Sequence, residues 1–272
     1  MTGHASTHAL TVESLSDGLA TRRIGRRIIV LPEVDSTNRY VLDVLAEGGD
    51  AAPDGTVVFA ERQTAGRGRL GRSWHSPAGA SLLLTVLLRP PDRLRCVASL
   101  MMAATVAVVR GIESSTDVEP TIRWPNDLYV GEGKLAGILV ETRGLSGRGL
   151  AVAVGIGVNC LQHAGHFPEE IRSRATSLEL ASSRAVDRPA VGRAILRALD
   201  DWLAPSDGLR PEVLVEAWSQ ASGDIGSRAT LVCDGALFTG RILDVHPEEG
   251  LLLQLDTGAR KSFDPATTRR IC

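Results

Sequence analysis

The sequence has almost no lysine. Of 30 basic residues only Lys134 and Lys261 are lysine, and arginine takes every other basic position. A GC-rich coding bias is the simplest cause. The two cations differ in shape, donor geometry and hydration, so a retained lysine marks a place that needs a compact ammonium. For Lys261, in a tail, chance retention is the simpler reading. Cysteine is also scarce: Cys96, Cys160, Cys233 and Cys272 lie far apart and form no C-x-x-C. Neither a zinc site nor a disulfide framework is indicated. Charge of one sign is missing too. The formal net charge is −2, so there is no global basic field of the kind that binds DNA. There is no long apolar run: "VASLMMAATVAVV" (Val97 to Val109) is too short to span a bilayer and reads as a buried helix. The opening "MTGHASTHALTVES" lacks the charged-then-apolar pattern of a signal sequence. These absences together point to a reduced, cytoplasmic, non-membrane protein.

What is present is ordinary globular material. The chain has 272 residues, 43% hydrophobic and 23% charged, enough for one large domain and a small one. The first 25 or so residues are polar and weakly patterned. Strands are expected near 27–31, 56–61, 81–88, 121–124, 134–141 and 150–159. A helix is expected from Asp35-Ser36-Thr37 to Gly48-Gly49, with others near 94–111, 187–203 and 209–220. After "SGDIGS" (222–227) the pattern becomes four short strand-like runs, "RATLVC", "FTGRILDVH", "GLLLQLDT" and "ARKSFD". Such punctuation by Gly and Asp predicts a small all-β module.

The segment "GRGRLG" (Gly66 to Gly71) matches G-x-G-x-x-G, the dinucleotide turn. That turn needs a strand before it, a helix after it and an acidic residue about 20 positions on. "TVVFAE" supplies the strand, but "RSWHSPAGAS" argues against a helix and "LLLTVLLR" holds no carboxylate. Arg67, Arg69 and Arg72 crowd the loop instead. Mobile guanidinium groups suit a loop that folds over an anion, with a plain solvated loop as the bland alternative.

Four further segments hold candidate chemistry. Ser36-Thr37-Asn38 opens a helix, and alone it reads as an N-cap. "RWPND" (Arg123 to Asp127) reads alone as a turn. "GKLAGILVE" (Gly133 to Glu141) puts the rare Lys134 at the start of a buried strand, and its Gly137 suggests close approach of backbone or ligand. "GIGVN" (Gly155 to Asn159) ends an apolar strand with an amide.

Together, "STN", "ERQTAGRGRLGRSW", "RWPNDLY", "KLAGILVE" and "VGIGVN" resemble the catalytic core of biotin protein ligases, in that family's order. The resemblance spans about residues 30 to 220. It implies an α+β fold: a mixed β-sheet catalytic domain with flanking helices, of the class II synthetase-like type, plus a small C-terminal SH3-like β-barrel. The implied domains are a 1–25 extension, a 26–222 catalytic unit and a 223–272 module. Only 35 residues precede Ser36, too few for the DNA-binding domain of larger members, so the ligase-only class is expected.

The implied activity has two steps. Biotin and ATP give biotinyl-5′-AMP, and the acyl group then passes to a lysine of a biotin carboxyl carrier protein of an acyl-CoA carboxylase. By resemblance, Ser36, Thr37, Asn38, Gln63, Arg67, Gly68, Arg69, Lys134 and Gly137 bind biotin. Arg67, Arg69, Arg72, Trp74, Asn126, Lys134 and Asn159 stand on the ATP and adenylate side. Lys134 and Arg69 are the catalytic candidates, and Asp127 is the candidate for Mg²⁺. The tail "FDPATTRRIC" departs from the family's Gly-Asp-Val type of ending, so no tail contact is carried over. A monomer or a homodimer is expected. A lipoate ligase shares this fold and its adenylation logic, but carries a run of adjacent glycines where this chain has "GRGRLGR". A biotin-sensing regulator lacks support from the charge. A stand-alone interaction module leaves the arginine loop unexplained.

Overall fold

The computed structural model describes residues 9–46, 52–90, 97–145, 149–203 and 210–271. Element order is α1 (Val12–Ser16), β1 (Ile28–Leu31), α2 (Thr37–Tyr40) running into a π-helical turn (Val41–Leu45), β2 (Val57–Ala60), β3 (Ser81–Leu88) and α3 (Val97–Ser115). Then come β4 (Thr121–Arg123), β5 (Asp127–Val130), β6 (Gly133–Leu145), β7 (Gly149–Asn159), α4 (Glu169–Arg172), α5 (Leu178–Ala181), α6 (Arg188–Leu203) and α7 (Pro211–Ala221). The chain finishes with β8 (Arg228–Cys233), β9 (Ala236–His246), β10 (Gly250–Leu255), β11 (Arg260–Phe263) and β12 (Thr268–Ile271). Gly48, Gly49, Cys96 and Cys272, invoked in the sequence reading, lie outside the described residues.

Strands β1 to β7 form one mixed sheet in the order β1-β2-β3-β7-β6-β5-β4. Only β1 and β2 pair in parallel; the other neighbours are antiparallel. Its two faces differ because side chains alternate along a strand. Val152, Val154, Ile156 and Val158 of β7, with Leu82, Leu84 and Val86 of β3, meet α3 and α6 in the main core. The opposite face of β7 carries Ala151, Ala153, Gly155 and Gly157. The helix after Ser36 covers its far end through Val41 and Leu42, and the near end stays open. Strand β3 is apolar on both faces because both are covered, and all eight residues are buried.

Helix α3 is long and apolar enough to cross a membrane by length and composition, but 67% of its apolar 18-residue stretch is buried within the protein. Here Gly111 permits close packing on α6, since a Cβ would lie 2.6 Å from Ile195 Cα. The N-terminal segment is not a loose extension in this structure: Leu10, Leu15 and Ile24 are buried in the main core. Buried Asp200 of α6 accepts the backbone N–H groups of Arg22 (2.7 Å), Arg23 (2.9 Å) and Ile24 (2.8 Å).

The C-terminal module is a five-stranded antiparallel sheet ordered β11-β10-β9-β8-β12, one strand more than the four runs expected. Its apolar side, with Leu231, Ile242, Leu251, Leu253 and Phe263, joins the main core. Lys261 sits with Nζ 3.9 Å from the Phe238 ring centroid, so this lysine has a cation–π partner.

Candidate active site

All fourteen residues singled out above line one cavity of about 770 Å³ on the open face of the first sheet: Ser36, Thr37, Asn38, Gln63, Arg67, Gly68, Arg69, Arg72, Trp74, Asn126, Asp127, Lys134, Gly137 and Asn159. That volume suits a small-molecule ligand. Seven arginines and Lys134 face it against one carboxylate, Asp127. Such a balance favours an anion.

One end is built from buried neutral polar groups. Ser36 holds the N-cap position of α2, but its side chain makes no capping bond and lines the cavity. Thr37 donates to Gln63 Oε1 from its backbone N–H (2.7 Å) and its hydroxyl (3.0 Å). Thr85 Oγ1 lies 2.8 Å from Thr37 Oγ1 and 2.7 Å from Asn38 Oδ1. Asn38 Nδ2 donates to Leu139 O (3.2 Å) and to Glu141 Oε2 (2.9 Å). Thr85 and Glu141 escaped the sequence reading; Thr85 is a lone hydroxyl inside an apolar run, and Glu141 closes a motif already quoted.

The floor is bare backbone. A Cβ at Gly155 would overlap Asn38 Oδ1, one at Gly157 would lie 2.7 Å from Trp74 Cε2, and one at Gly137 would lie 3.2 Å from Trp74 Cζ3. Gly155 and Gly157, two apart on one strand, therefore make room for Asn38 and for the Trp74 indole. Their i, i+2 spacing was the missed signal.

The arginine loop is a closed hairpin over the cavity. Trp74 N–H donates to Gly66 O (2.9 Å) and Gly68 N–H to Arg72 O (2.6 Å). Leu70 at its tip takes a left-handed φ of 53° and is exposed. Arg67 reaches Glu141 Oε1 at 2.8 Å. Arg69 points the other way: it donates to Asn126 Oδ1 (3.3 Å), to Thr268 O (3.3 Å) and to Pro265 O. Burial, with Arg72 nearby as a second cause, holds the Arg69 guanidinium below its usual range against the pull of Asp127 and Asp264. Arg72 is exposed at the rim.

At the other end Lys134 Nζ pairs with Asp127 Oδ2 at 2.7 Å and lies 5.7 Å from the Trp74 ring centroid. "RWPND" is more than the turn that its composition suggested, because Asp127 begins β5, which pairs with β6 from Gly133 to Gly137. Asn126 is a pin: its Nδ2 donates to Ile138 O (2.5 Å), and Ile138 N–H donates back to Asn126 O (3.0 Å). Asn159 is another, donating from Nδ2 to Thr176 O (2.9 Å) and Lys134 O (3.4 Å). No group of three potential metal ligands forms among the described residues, and Asp127 is engaged by Lys134. The side chains present therefore build no ready cage for Mg²⁺. The C-terminal strand also enters the site, since Arg269, Arg270 and Ile271 line the cavity.

Comparison with known proteins agrees with this geometry. The model of the biotin/lipoate A/B protein ligase family matches residues 30–159. The chain is 34% identical over 256 residues to the biotin–[acetyl-CoA-carboxylase] ligase of Mycobacterium tuberculosis, covering 92% of this chain and 91% of that protein. It is 43% identical over 202 residues to the enzyme of the same name from Paracoccus denitrificans, covering 72% and 81%. The structure superposes on the biotin protein ligase of Aquifex aeolicus in complex with biotin and ATP with a TM-score of 0.75 at 29% identity, covering 90% of this chain and 100% of that one. An arginine loop, a lysine-headed strand and a glycine floor converge on one cavity in a chain this similar to those enzymes, and the chain belongs to the biotin/lipoate A/B protein ligase family, among its biotin protein ligases.

Proposed function

We propose that this chain joins biotin to ATP, giving biotinyl-5′-AMP and pyrophosphate, and then transfers biotin to a lysine of a biotin carboxyl carrier protein. The observation that carries the reading is the polarity of the cavity. Buried amides and hydroxyls stand at one end, and Lys134 and Arg69 at the other, across the glycine floor. The neutral end suits a ureido ring, which both donates and accepts hydrogen bonds. Pairing buried polar groups with it rejects analogues that lack them. Residues 26–222 form the catalytic unit in this reading, and 223–272 the supporting module.

In the first step a carboxylate oxygen of biotin attacks the α-phosphorus, and the bond from that phosphorus to the bridging oxygen of pyrophosphate breaks. Two anions must meet, so fixed cations lower the barrier. In this reading Lys134 leaves its pair with Asp127 and sits between the two oxyanions. Arg69 neutralises phosphoryl charge from the loop side. Closure of the loop keeps water from the mixed anhydride. In the second step the carrier's lysine amine attacks the acyl carbon, AMP leaves, and the amine loses its proton. Mg²⁺ would supply charge on the nucleotide phosphates, held chiefly by them and by water.

The decisive assay is exchange of labelled pyrophosphate into ATP. Exchange that depends on biotin is expected. Exchange driven by lipoate instead would move the chain to the sister activity. Biotin binding without any exchange would make it a non-catalytic binder.

A further inference from the structure

The arginine loop is anchored by the C-terminal module, 196 residues away in sequence. Arg69 spends its guanidinium on three neutral oxygens: Asn126 Oδ1, Pro265 O and Thr268 O. Two of the three are backbone carbonyls around the start of β12. Backbone carbonyls stand wherever the strand stands, so something must fix the strand. Asp224 does this. Its side chain is 2% exposed; one oxygen pairs with the guanidinium of Arg270 on β12, and the other accepts the backbone N–H of Trp124 at 2.6 Å. Trp124 adjoins Pro125-Asn126, and Asn126 is the third oxygen on Arg69. One buried carboxylate therefore ties together every element that grips Arg69.

We propose that Asp224 is a positioning residue for the arginine loop. It acts through Arg270 and Trp124 to hold the Pro265 and Thr268 carbonyls and Asn126 where Arg69 docks. The contact has a direction built into it. A half-buried guanidinium whose direct bonds all go to neutral oxygens is satisfied as a donor but feels its nearest carboxylates, Asp127 and Asp264, only through space. An anion arriving in the cavity offers it the stronger, charge-assisted partner. The C-terminal module thus holds the loop over the site in a state that phosphate-bearing ligands displace. A buried carboxylate is the group to build such a joint, because loss of either partner leaves an uncompensated charge and the geometry is over-determined.

The consequence for adenylate handling rests on the proposed ligase function; the placement of the loop does not. The test therefore uses no biotin and no ATP. The full-length protein is digested briefly with trypsin, and cleavage after Arg67, Arg69 and Arg72 is followed by peptide mass, with cleavage after Arg241 and Arg260 as the internal control for the module. In D224N the loop sites are expected to be cut about tenfold faster while the module sites keep their rates, because proteolysis reports the population of the locally opened form. In an R69A background, followed at Arg67 and Arg72, D224N should add no further increase. The neutral exchange D224N/R270Q keeps a hydrogen-bonded pair without a stranded buried cation and should return loop cleavage to within about twofold of wild type. Equal loop cleavage in wild type and D224N would overturn the proposal. So would a parallel rise at Arg241 and Arg260, which would make Asp224 a general support of the module. An undiminished D224N effect in the R69A background would break the link to Arg69, and no recovery in D224N/R270Q would break the route through Arg270.

Discussion

Lys134 Nζ stands 2.7 Å from Asp127 Oδ2, and the two are neighbours only because β5 and β6 form a hairpin. Its register sets Asp127 opposite Gly137, with an irregularity between Leu128 and Tyr129. The ammonium is therefore held at the cavity wall by a carboxylate and by the bare backbone of Gly137, where an added Cβ would lie 3.5 Å from Lys134 Cε. Lys134→Arg changes no formal charge, but a planar guanidinium needs more width and fixed donor directions, and the floor is already occupied by Trp74. We expect Lys134→Arg to lose nearly as much adenylation as Lys134→Ala, roughly 100- to 1,000-fold in biotin-dependent pyrophosphate exchange, the usual cost of one preorganised charge. The melting temperature should hold. Near-wild-type exchange by the arginine variant would show that any cation suffices there.

The glycine floor makes a separate prediction. Gly157→Ala puts a methyl group 2.7 Å from Trp74 Cε2, while Gly155→Ala drives one into the Asn38 amide. The first displaces an indole on a loop; the second displaces a buried side chain bonded to Leu139 O and Glu141. Overpacking of this kind costs about 1–3 kcal/mol when the neighbour cannot move. Gly155→Ala should thus lower the unfolding free energy and abolish biotin binding. Gly157→Ala should keep the fold and shift the Trp74 fluorescence. Calorimetric unfolding and titration with biotin separate the two, and equal behaviour of the variants would refute the division of the floor.

Much of this was legible in the sequence, for identifiable reasons. "SLLLTVLL" reads as a strand near 81–88, and β3 has those bounds; that both of its faces are covered came from the structure. The buried helix was found from its apolar run; it was expected near 94–111, and the described part runs Val97–Ser115. β5 was missed because Pro125-Asn126-Asp127 carries turn chemistry that hides the strand directly behind it. β12 was missed because "TRRI" has no apolar alternation; its Thr268 is buried instead. The packing of Leu10, Leu15 and Ile24 was hidden by their isolation among polar residues. Cavity-lining residues with a chemical type were readable as motifs. The grip of Pro265 and Thr268 on Arg69 was not, because a backbone carbonyl leaves no mark in the alphabet.

The N-terminal segment is fastened by a carboxylate whose charge the fold uses. Burial works against ionisation of Asp200, but three backbone N–H groups from Ile24, Arg22 and Arg23, with the Arg22 side chain, outweigh it and hold the carboxyl below its usual range. A carboxyl depressed in the folded state contributes stability above its unfolded pKa of about 3.9, and that contribution disappears as pH falls through the lower folded value. Asp200→Asn should therefore cost roughly 1.5–3 kcal/mol at neutral pH, the range for hydrogen bonds to a charged group. The gap between variant and wild type should close on acidification below about pH 4. Urea titrations at pH 7 and at decreasing pH measure it; a gap independent of pH would show that the charge is not what fastens Arg22 to Ile24.

Glu141 holds two donors, Asn38 Nδ2 at 2.9 Å on one oxygen and Arg67 at 2.8 Å on the other. It is the direct link between the helix that opens at Ser36 and the arginine loop. The ion pair itself is weak, because half of the Arg67 side chain is exposed and exposed pairs contribute about 0–1 kcal/mol. The geometry matters more. Glu141→Gln keeps the shape but has only one acceptor oxygen, so its amide N–H₂ must confront either Asn38 Nδ2 or the Arg67 guanidinium. If it turns away from Asn38, the buried amide that also touches Thr85 is left short of an acceptor. If it turns away from Arg67, the loop loses its hold on that side and keeps the Arg69 contacts and the packing of Trp74 on the glycine floor. Either outcome breaks one end of the bridge between Asn38 and the loop without touching Lys134. We expect Glu141→Gln to raise the KM for biotin by about tenfold, as one hydrogen bond to a charged group commands, with kcat for pyrophosphate exchange within about twofold of wild type. An equal fall in kcat with KM unchanged would place Glu141 in the chemical step, and the bridging role assigned to it here would be wrong.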